Sequence, residues 1–150
     1  NPIKKEGVPD QSSALLLNTL NVTKMSTQSN QIIEQLHRFC GSETIYTIPM
    51  FKTRYTEGVK YLAEAANCYW LITDAAVITK SLKHKSYFLV IHFKRFSKEV
   101  QARLHKEAQI TYADGNGTIL FQQDYELTDL PLDELRLFFV DDMLMLPNEY

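Results

Sequence analysis

The stretch Asp114-Gly115-Asn116-Gly117 decides the fold that this sequence predicts. Two segments that alternate apolar and polar residues flank it, which is typical of an antiparallel β-hairpin closed by a glycine-containing turn. A turn centred in this stretch pairs Tyr112 with Ile119. The same register pairs Ile110 with Phe121, and all four side chains are then expected on one buried face. The hairpin therefore predicts a sheet with one buried and one solvated face.

Helices and further strands are predicted around this hairpin. Apolar residues at helical spacing predict three helices, over residues 26–40, 56–67 and 69–82. Apolar or alternating runs predict two more strands, over residues 43–48 and 87–93. Thr56 is expected to be the N-cap of the second helix, and Asp129 the cap of a last one. The buried stripe of that last helix is expected to be Leu132, Leu135, Phe138 and Phe139.

Length and composition fit one folded domain. The chain has 150 residues, of which 45% are hydrophobic and 23% charged, enough for a single core. Residues 1–25 are polar and are interpreted as an N-terminal arm or extension, and residues 26–150 as a single α+β domain. The predicted architecture is an antiparallel three- to four-stranded sheet packed against helices on one face.

The bulk properties argue against several classes of protein. The net charge of -2 is unusual for a dedicated nucleic-acid binder, which is commonly basic. Two cysteines do not make a disulfide framework, so a reducing, cytoplasmic setting is predicted. No apolar run approaches the ~18 residues that span a bilayer, so no membrane contact is predicted. No glycine-rich phosphate loop occurs, and no cofactor is predicted.

One segment is locally basic and gives an alternative. Between residues 80 and 106 the chain carries eight basic side chains against the single acidic Glu99. Such a patch can bind phosphates even in a slightly acidic protein. The competing interpretation is that these residues keep a sheet edge soluble or pair with acidic segments. The candidate nucleic-acid-binding residues are Lys80, Lys83, Lys85, Lys94, Arg95, Lys98, Arg103 and Lys106.

Candidate metal and catalytic groups are sparse. His37 and Cys40 are three residues apart and can share a metal with Cys68, but a zinc site needs about four ligands. Reduced thiols and a surface histidine are the favoured interpretation. A catalytic Cys68 needs a histidine partner, for which His84, His92 and His105 are the candidates, and nothing in the sequence joins them to it. No catalytic, cofactor-binding or metal-binding residue is therefore assigned.

Five short phrases carry a family resemblance. They are TEGVKYLAE from Thr56, YWL from Tyr69, DGNG from Asp114, TDLPL from Thr128 and LPNEY from Leu146. Together they resemble a small bacterial family catalogued as a domain of unknown function, over about residues 39–150. Glu57 and Asn148 stand where that family usually has Asp and Ser. The resemblance implies a compact accessory protein, often encoded in mobile DNA, and brings no known reaction, cofactor or partner.

These observations predict a non-enzymatic interaction protein that acts by binding a protein partner. The polar face of the hairpin and the charge-segregated surface are the predicted contact areas. The alternative is a nucleic-acid-binding protein that uses the basic segment, and a third interpretation is a small hydrolase. The oligomeric state stays open at this point.

Overall fold

A computed structural model of the protein describes residues 27–40 and 44–150. The predicted N-terminal arm, residues 1–25, lies outside these ranges, as does the predicted start of the first helix at Ser26.

The described residues form four helices and seven strands. In chain order they are α1 (27–36), β1 (Ile45–Ile48), β2 (Thr53–Thr56), α2 (Glu57–Ala65), α3 (Tyr69–Leu82), β3 (Phe88–Arg95), α4 (Lys98–Leu104), β4 (Ala108–Asp114), β5 (Ile119–Tyr125), β6 (Glu134–Val140) and β7 (Met143–Met145), followed by a short 3-10 helix (Pro147–Glu149). All seven strands belong to one sheet with the order β1-β2-β7-β6-β3-β4-β5. β2 and β7 run parallel, and the other neighbours are antiparallel.

The predicted α+β class is confirmed, but the predicted sheet was wrong in size and pairing. The sheet has seven strands and is mixed, whereas three or four antiparallel strands were expected. The strands that the sequence did not predict are β2, β6 and β7. β2 runs directly into α2 and its burial does not alternate, and β7 has only three residues, so neither shows the alternating pattern of a strand.

β6 occupies the segment for which the sequence predicted a last helix. Leu135, Leu137 and Phe139 are buried with the period of two that a strand requires, and Val140 at the end of the strand is buried as well. The opposite face of this strand is also apolar at one end, because Phe138 packs on Phe88 with ring centroids 4.9 Å apart. Apolar residues on both faces remove the contrast that marks a strand, and the remaining spacing matches a helix equally well.

The predicted hairpin is confirmed, with a longer loop than expected. The side-chain Oδ1 of Asp114 accepts hydrogen bonds from the backbone N–H groups of Asn116 and Thr118, both at 2.9 Å. Gly117 has φ 86°, a value that suits glycine better than any other residue. The extra loop residue changes which residues face each other across the two strands.

The predicted register was therefore wrong. Tyr112 pairs with Phe121 instead of Ile119, and Ile110 pairs with Gln123, because a β-bulge opposite Tyr112 adds to the longer loop. Ile110 and Tyr112 are fully buried as predicted. Ile119 and Phe121 remain 56% and 42% exposed, because β5 is an edge strand.

The core lies on one face of the sheet. Helices α1, α2 and α3 each contribute buried residues to a single cluster, among them Ile32, Val59, Leu62, Leu71 and Ile72. The sheet residues that face them alternate along β3, β4 and β6, and include Leu89, Ile91, Phe93, Ile110, Tyr112, Leu137 and Phe139. Among the described helices, none is both long and apolar enough to cross a membrane.

A hydrogen-bonded clasp joins the start of α2 to the end of the chain. As predicted, Thr56 is the N-cap of α2, and its hydroxyl oxygen accepts from Val59 N–H at 3.3 Å. The same hydroxyl donates to Glu149 Oε1 at 2.6 Å, and Gly58 N–H donates to Oε2 at 3.3 Å. Leu146 N–H also donates to Oε1, at 3.0 Å. The carboxylate thus sits at the positive end of the helix, where negative charge is stabilised.

The close approach of the clasp to α2 uses the space that a glycine leaves at position 58. A Cβ there would lie 2.5 Å from Leu146 Cδ1 and 2.6 Å from Glu149 Oε1. We expect Gly58→Ala to lower the free energy of unfolding by about 1 kcal/mol. Overpacking destabilises by about 1–3 kcal/mol, and the higher helix propensity of alanine offsets about 1 kcal/mol of this loss.

Urea denaturation followed by circular dichroism measures this change. Gly115→Ala is the matched control, because its Cβ would meet only Phe88 Cδ1, at 3.6 Å. We expect the control to change stability by less than about 0.5 kcal/mol. A Gly58→Ala protein at least as stable as the wild type would contradict the clasp.

Candidate binding site at the free sheet edge

β5 is an unpaired edge strand of the described sheet. It has seven residues and pairs with β4 on one side, and no described strand pairs with its other side. The opposite edge strand, β1, has four residues and is followed by Pro49, which makes it a poor template for a further strand. The longer free edge of the sheet is therefore β5.

Within the described part of the chain, β5 has few of the features that usually protect an edge strand. Its sequence, ILFQQDY, contains one charged residue, Asp124, and neither lysine nor proline. Natural edge strands commonly carry lysine or proline, or are short or covered, because their free N–H and C=O groups pair readily with another strand. The bulge lies near the turn and leaves residues 121–125 in regular register.

An apolar row follows this edge on the helix side. Phe121 and Tyr125 are four residues apart on β5 and share one of its faces, with the polar Gln123 between them. Leu127 follows a bend at Glu126 and lines the same pocket as Tyr125. Phe121 is 42% exposed and Leu127 is 85% exposed. Leu127 extends the apolar surface beyond the end of the strand.

α3 forms the second wall of this surface. The rings of Trp70 and Tyr125 are 5.4 Å apart and tilted by 53°. Tyr125 Oη donates a hydrogen bond to Asp74 Oδ2 at 2.9 Å. Val77 follows Asp74 by three residues, so it lies on the same side of the helix, and it is largely solvent-accessible. We refer to Phe121, Tyr125, Leu127, Trp70 and Val77 together as the β5 edge.

A pocket of about 480 Å³ lies at the end of this surface, lined by Trp70, Glu107, Tyr125, Leu127, Thr128 and Asp129. Both carboxylate oxygens of Glu107 already have partners within the protein. Its Oε1 pairs with Arg95 Nη1 at 2.5 Å, and its Oε2 accepts a hydrogen bond from Thr128 N–H at 3.1 Å. Asp129 is exposed and forms no ion pair with any described residue. It does not cap a helix, because β6 replaces the helix that the sequence predicted.

Two tyrosines in this region, Tyr125 in the pocket lining and Tyr112 in the core, are held in the neutral form. Burial first, and then the nearby charge of Asp74, raise the pKa of Tyr112 above its ordinary value. Burial, and then the hydrogen bond with Asp74, raise the pKa of Tyr125 above its ordinary value as well. Tyr112 Oη is buried and has no hydrogen-bond partner among the described residues. The region therefore carries aromatic surface and carboxylate charge, with no ionised phenol at neutral pH.

The candidate nucleic-acid-binding residues do not act as one free patch. Lys83 pairs with Asp142 at 3.4 Å and Lys106 with Glu126 at 3.1 Å. Arg95 is partly buried, pairs with Asp133 at 3.3 Å in addition to Glu107, and donates to the carbonyls of Leu130 and Leu132.

The other five basic residues are spread over the molecule. Lys80 lies in the last turn of α3 and donates to the carbonyl of Phe51. Lys85 lies in the turn after α3, and Lys94 lies on β3. Lys98 and Arg103 lie on α4. Binding of nucleic acid by this set stays a prediction.

The cysteines do not form a metal or catalytic site among the described residues. Cys40 is exposed and Cys68 is buried, and neither is in a disulfide. No described cluster of three or more His, Cys, Asp or Glu side chains could hold a metal ion. Burial, with a smaller effect of Asp129, raises the pKa of Cys68 to about 12. Since the thiolate is the nucleophile, Cys68 is expected to be unreactive.

The site residues that sequence reasoning missed are Trp70 and Tyr125 as a pair. Both side chains are partly buried and pack against the margin of the core. Their contact joins positions 55 apart, which no local pattern shows. A usable signal was Asp74, a carboxylate within a largely apolar helix and one turn after Trp70.

Thiol labelling tests the cysteine assignment. At about pH 8 we expect a disulfide-exchange reagent such as dithionitrobenzoate to label one thiol of the native protein, Cys40, and to label Cys68 only after unfolding. Cys40→Ser is the control and should leave the native protein unlabelled. Prompt labelling of Cys68 in the native Cys40→Ser protein would contradict its burial.

Two Tyr→Phe substitutions are expected to change stability in opposite directions. Tyr112→Phe removes a buried hydroxyl without a described partner, and such a group costs about 1–3 kcal/mol, so stability should rise by about 1 kcal/mol. Tyr125→Phe removes the hydrogen bond to Asp74 and should lower stability by about 1 kcal/mol. Urea denaturation compares them, and changes of the same sign would show that the two hydroxyls are wrongly placed.

Comparison with known proteins places the chain in a family without assigning a function. A family model described as a family of unknown function (DUF6876) matches residues 30–150. No curated protein and no solved structure matches the chain. All five phrases quoted for the resemblance lie within the matched residues, and the predicted membership in a domain of unknown function is confirmed. The chain belongs to the family of unknown function DUF6876.

Proposed function

We propose that this protein is a non-enzymatic interaction protein that binds an extended segment of a protein partner along the β5 edge. The observation that carries the proposal is a seven-residue edge strand whose outer side pairs with no described strand, together with the exposed apolar side chains of Phe121 and Leu127. In this binding mode the partner segment becomes the next strand of the sheet.

The two walls of the β5 edge suit this mode of binding. The free backbone groups of β5 supply hydrogen bonds, which give affinity for any extended chain. Phe121 and Tyr125 then contact side chains on one face of the bound segment, since strand side chains repeat every second residue. Trp70 and Val77 on α3 face the same segment from the helix side. Specificity therefore comes from side-chain contacts, and affinity largely from the backbone.

The two alternatives have weaker support. Phosphate binding by the basic segment requires unpaired cations, and Lys83, Arg95 and Lys106 are in ion pairs. Hydrolysis by Cys68 requires a thiolate, which its raised pKa disfavours. A bacterial, mobile-element origin and a cytoplasmic location belong to the proposal and rest on the family resemblance and cysteine usage.

Affinity capture from the native cells, with nuclease treatment, tests the proposal. The test variant is Phe121→Ser/Leu127→Ser, and the control is Leu104→Ser/Met50→Ser. The pairs match in exposure: Phe121 and Leu104 are 42% and 44% exposed, and Leu127 and Met50 are 85% and 84% exposed. We expect the test variant to retain at least about tenfold less partner than the control, since truncated contact residues cost about 1–2 kcal/mol each.

Each outcome decides between the interpretations. A protein retained by the wild type and the control and lost by the test variant supports the proposal, and protection of β5 amides from hydrogen exchange in the complex identifies strand addition. The proposal is overturned if the wild type, the control and the test variant retain equal amounts of partner, or if the wild type captures no protein beyond those that an unrelated bait captures. A complex that disappears with nuclease favours nucleic-acid binding. A dimer in light scattering that the test variant abolishes assigns the edge to a second copy instead. Circular dichroism establishes that every variant is folded.

A further inference from the structure

We propose that the pocket lined by Trp70, Tyr125 and Leu127 binds an arginine side chain of the partner segment, with the guanidinium stacked on an outer ring face, because the two rings pack against each other. The inference rests on the proposed function, because the pocket lies at the end of the β5 edge and shares Tyr125 and Leu127 with it. It adds the chemical identity of one residue in the bound segment.

The walls of the pocket suit a flat cation. Trp70 and Tyr125 present two rings at 5.4 Å, and Leu127 adds aliphatic surface that is almost fully exposed. Guanidinium groups stack on aromatic faces, and tryptophan is the best of these faces for a cation. Arginine also carries an apolar stem, which would cover Leu127 as the segment leaves the strand.

The charges around the pocket are negative and not fully compensated. Asp129 lines the pocket and has no ion-pair partner among the described residues. Asp74 interacts with Tyr125 Oη, and no described basic residue pairs with it. A carboxylate and a guanidinium form two parallel hydrogen bonds, a geometry that an ammonium group does not provide. Asp129 at the rim is therefore the expected partner of the incoming arginine.

The protein's own cations in this region are engaged elsewhere. Arg95 pairs with Glu107 and Asp133 and donates to the carbonyls of Leu130 and Leu132. Lys106 pairs with Glu126 at 3.1 Å. Neither is bound to Asp129, so the pocket keeps its aromatic faces and its rim carboxylate available to an external group.

The single tryptophan of the chain gives a direct readout. In a proton–nitrogen correlation spectrum the indole N–H of Trp70 is the one tryptophan side-chain signal. The probes are N-acetyl-arginine amide, N-acetyl-citrulline amide, which is its neutral analogue, and N-acetyl-lysine amide. We expect the arginine probe to change the chemical shift of this signal until the site is saturated. The dissociation constant of the citrulline probe should be about tenfold higher than that of the arginine probe, because citrulline loses both the cation–π contact and the ion pair.

Asp129→Asn is the test variant, and Asp124→Asn is its matched control. Asp124 precedes Tyr125 on β5, faces the opposite side of the sheet, and accepts from Gln109 at 3.0 Å. We expect Asp129→Asn to weaken the arginine probe about threefold or more, since an exposed charge pair contributes up to about 1 kcal/mol, and Asp124→Asn to leave it unchanged.

Other results would overturn the assignment. A Trp70 signal that does not move, equal binding of arginine and citrulline, or equal losses in both Asp→Asn variants each exclude a guanidinium site. Tighter binding of the lysine probe excludes arginine. If the arginine probe fails while Phe121→Ser/Leu127→Ser still abolishes partner capture, the pocket is wrongly assigned and the β5 edge stands. If partner capture is insensitive to the edge substitutions as well, the proposed function fails with it.

Discussion

The carboxylate of Glu149 at the start of α2 is the interaction on which the rest of the structure depends. It accepts hydrogen bonds from Thr56 and Gly58 and fixes the segment after β7 against the helix. This position allows β7 to lie between β2 and β6, and β2–β7 is the one parallel pair of the described sheet. Without β7 in this place, the β1–β2 hairpin would have no strand of the sheet to pair with. Two of the family phrases, TEGVKYLAE and LPNEY, therefore meet in space.

The parts of the fold that the sequence predicted are those whose signals are local. The turn at Asp114, the cap at Thr56 and the helical spacing of α3 depend on residues a few positions apart. The errors came from tertiary contacts. β6 was mistaken for a helix because Phe138 packs on Phe88, a residue 50 positions away. The hairpin register was wrong because a bulge, which no residue type signals reliably, adds to the loop.

The candidate site was less predictable than the fold. Cys68 and the basic segment were candidate sites because their residue types are reactive or charged. Burial, however, keeps the Cys68 thiol protonated, and Lys83, Arg95 and Lys106 of the basic segment are in ion pairs. The β5 edge is built from ordinary residues, and its character depends on what lies beside it. Exposure of Phe121 and Leu127 follows from the position of β5 at the end of the strand order, which the sequence does not reveal.

The parallel pair also constrains how the protein folds during synthesis. Arg54 of β2 pairs with Met143 of β7, so the chain must close a loop of nearly ninety residues before the β1–β2 hairpin is held in the sheet. Closing long loops is slow, and the residues that complete this one are translated after the other six strands. The β1–β2 hairpin is thus made early and secured late. Until β7 leaves the ribosome, the nascent chain has an incomplete sheet with an open side at β6, the condition in which chaperones bind unfolded proteins.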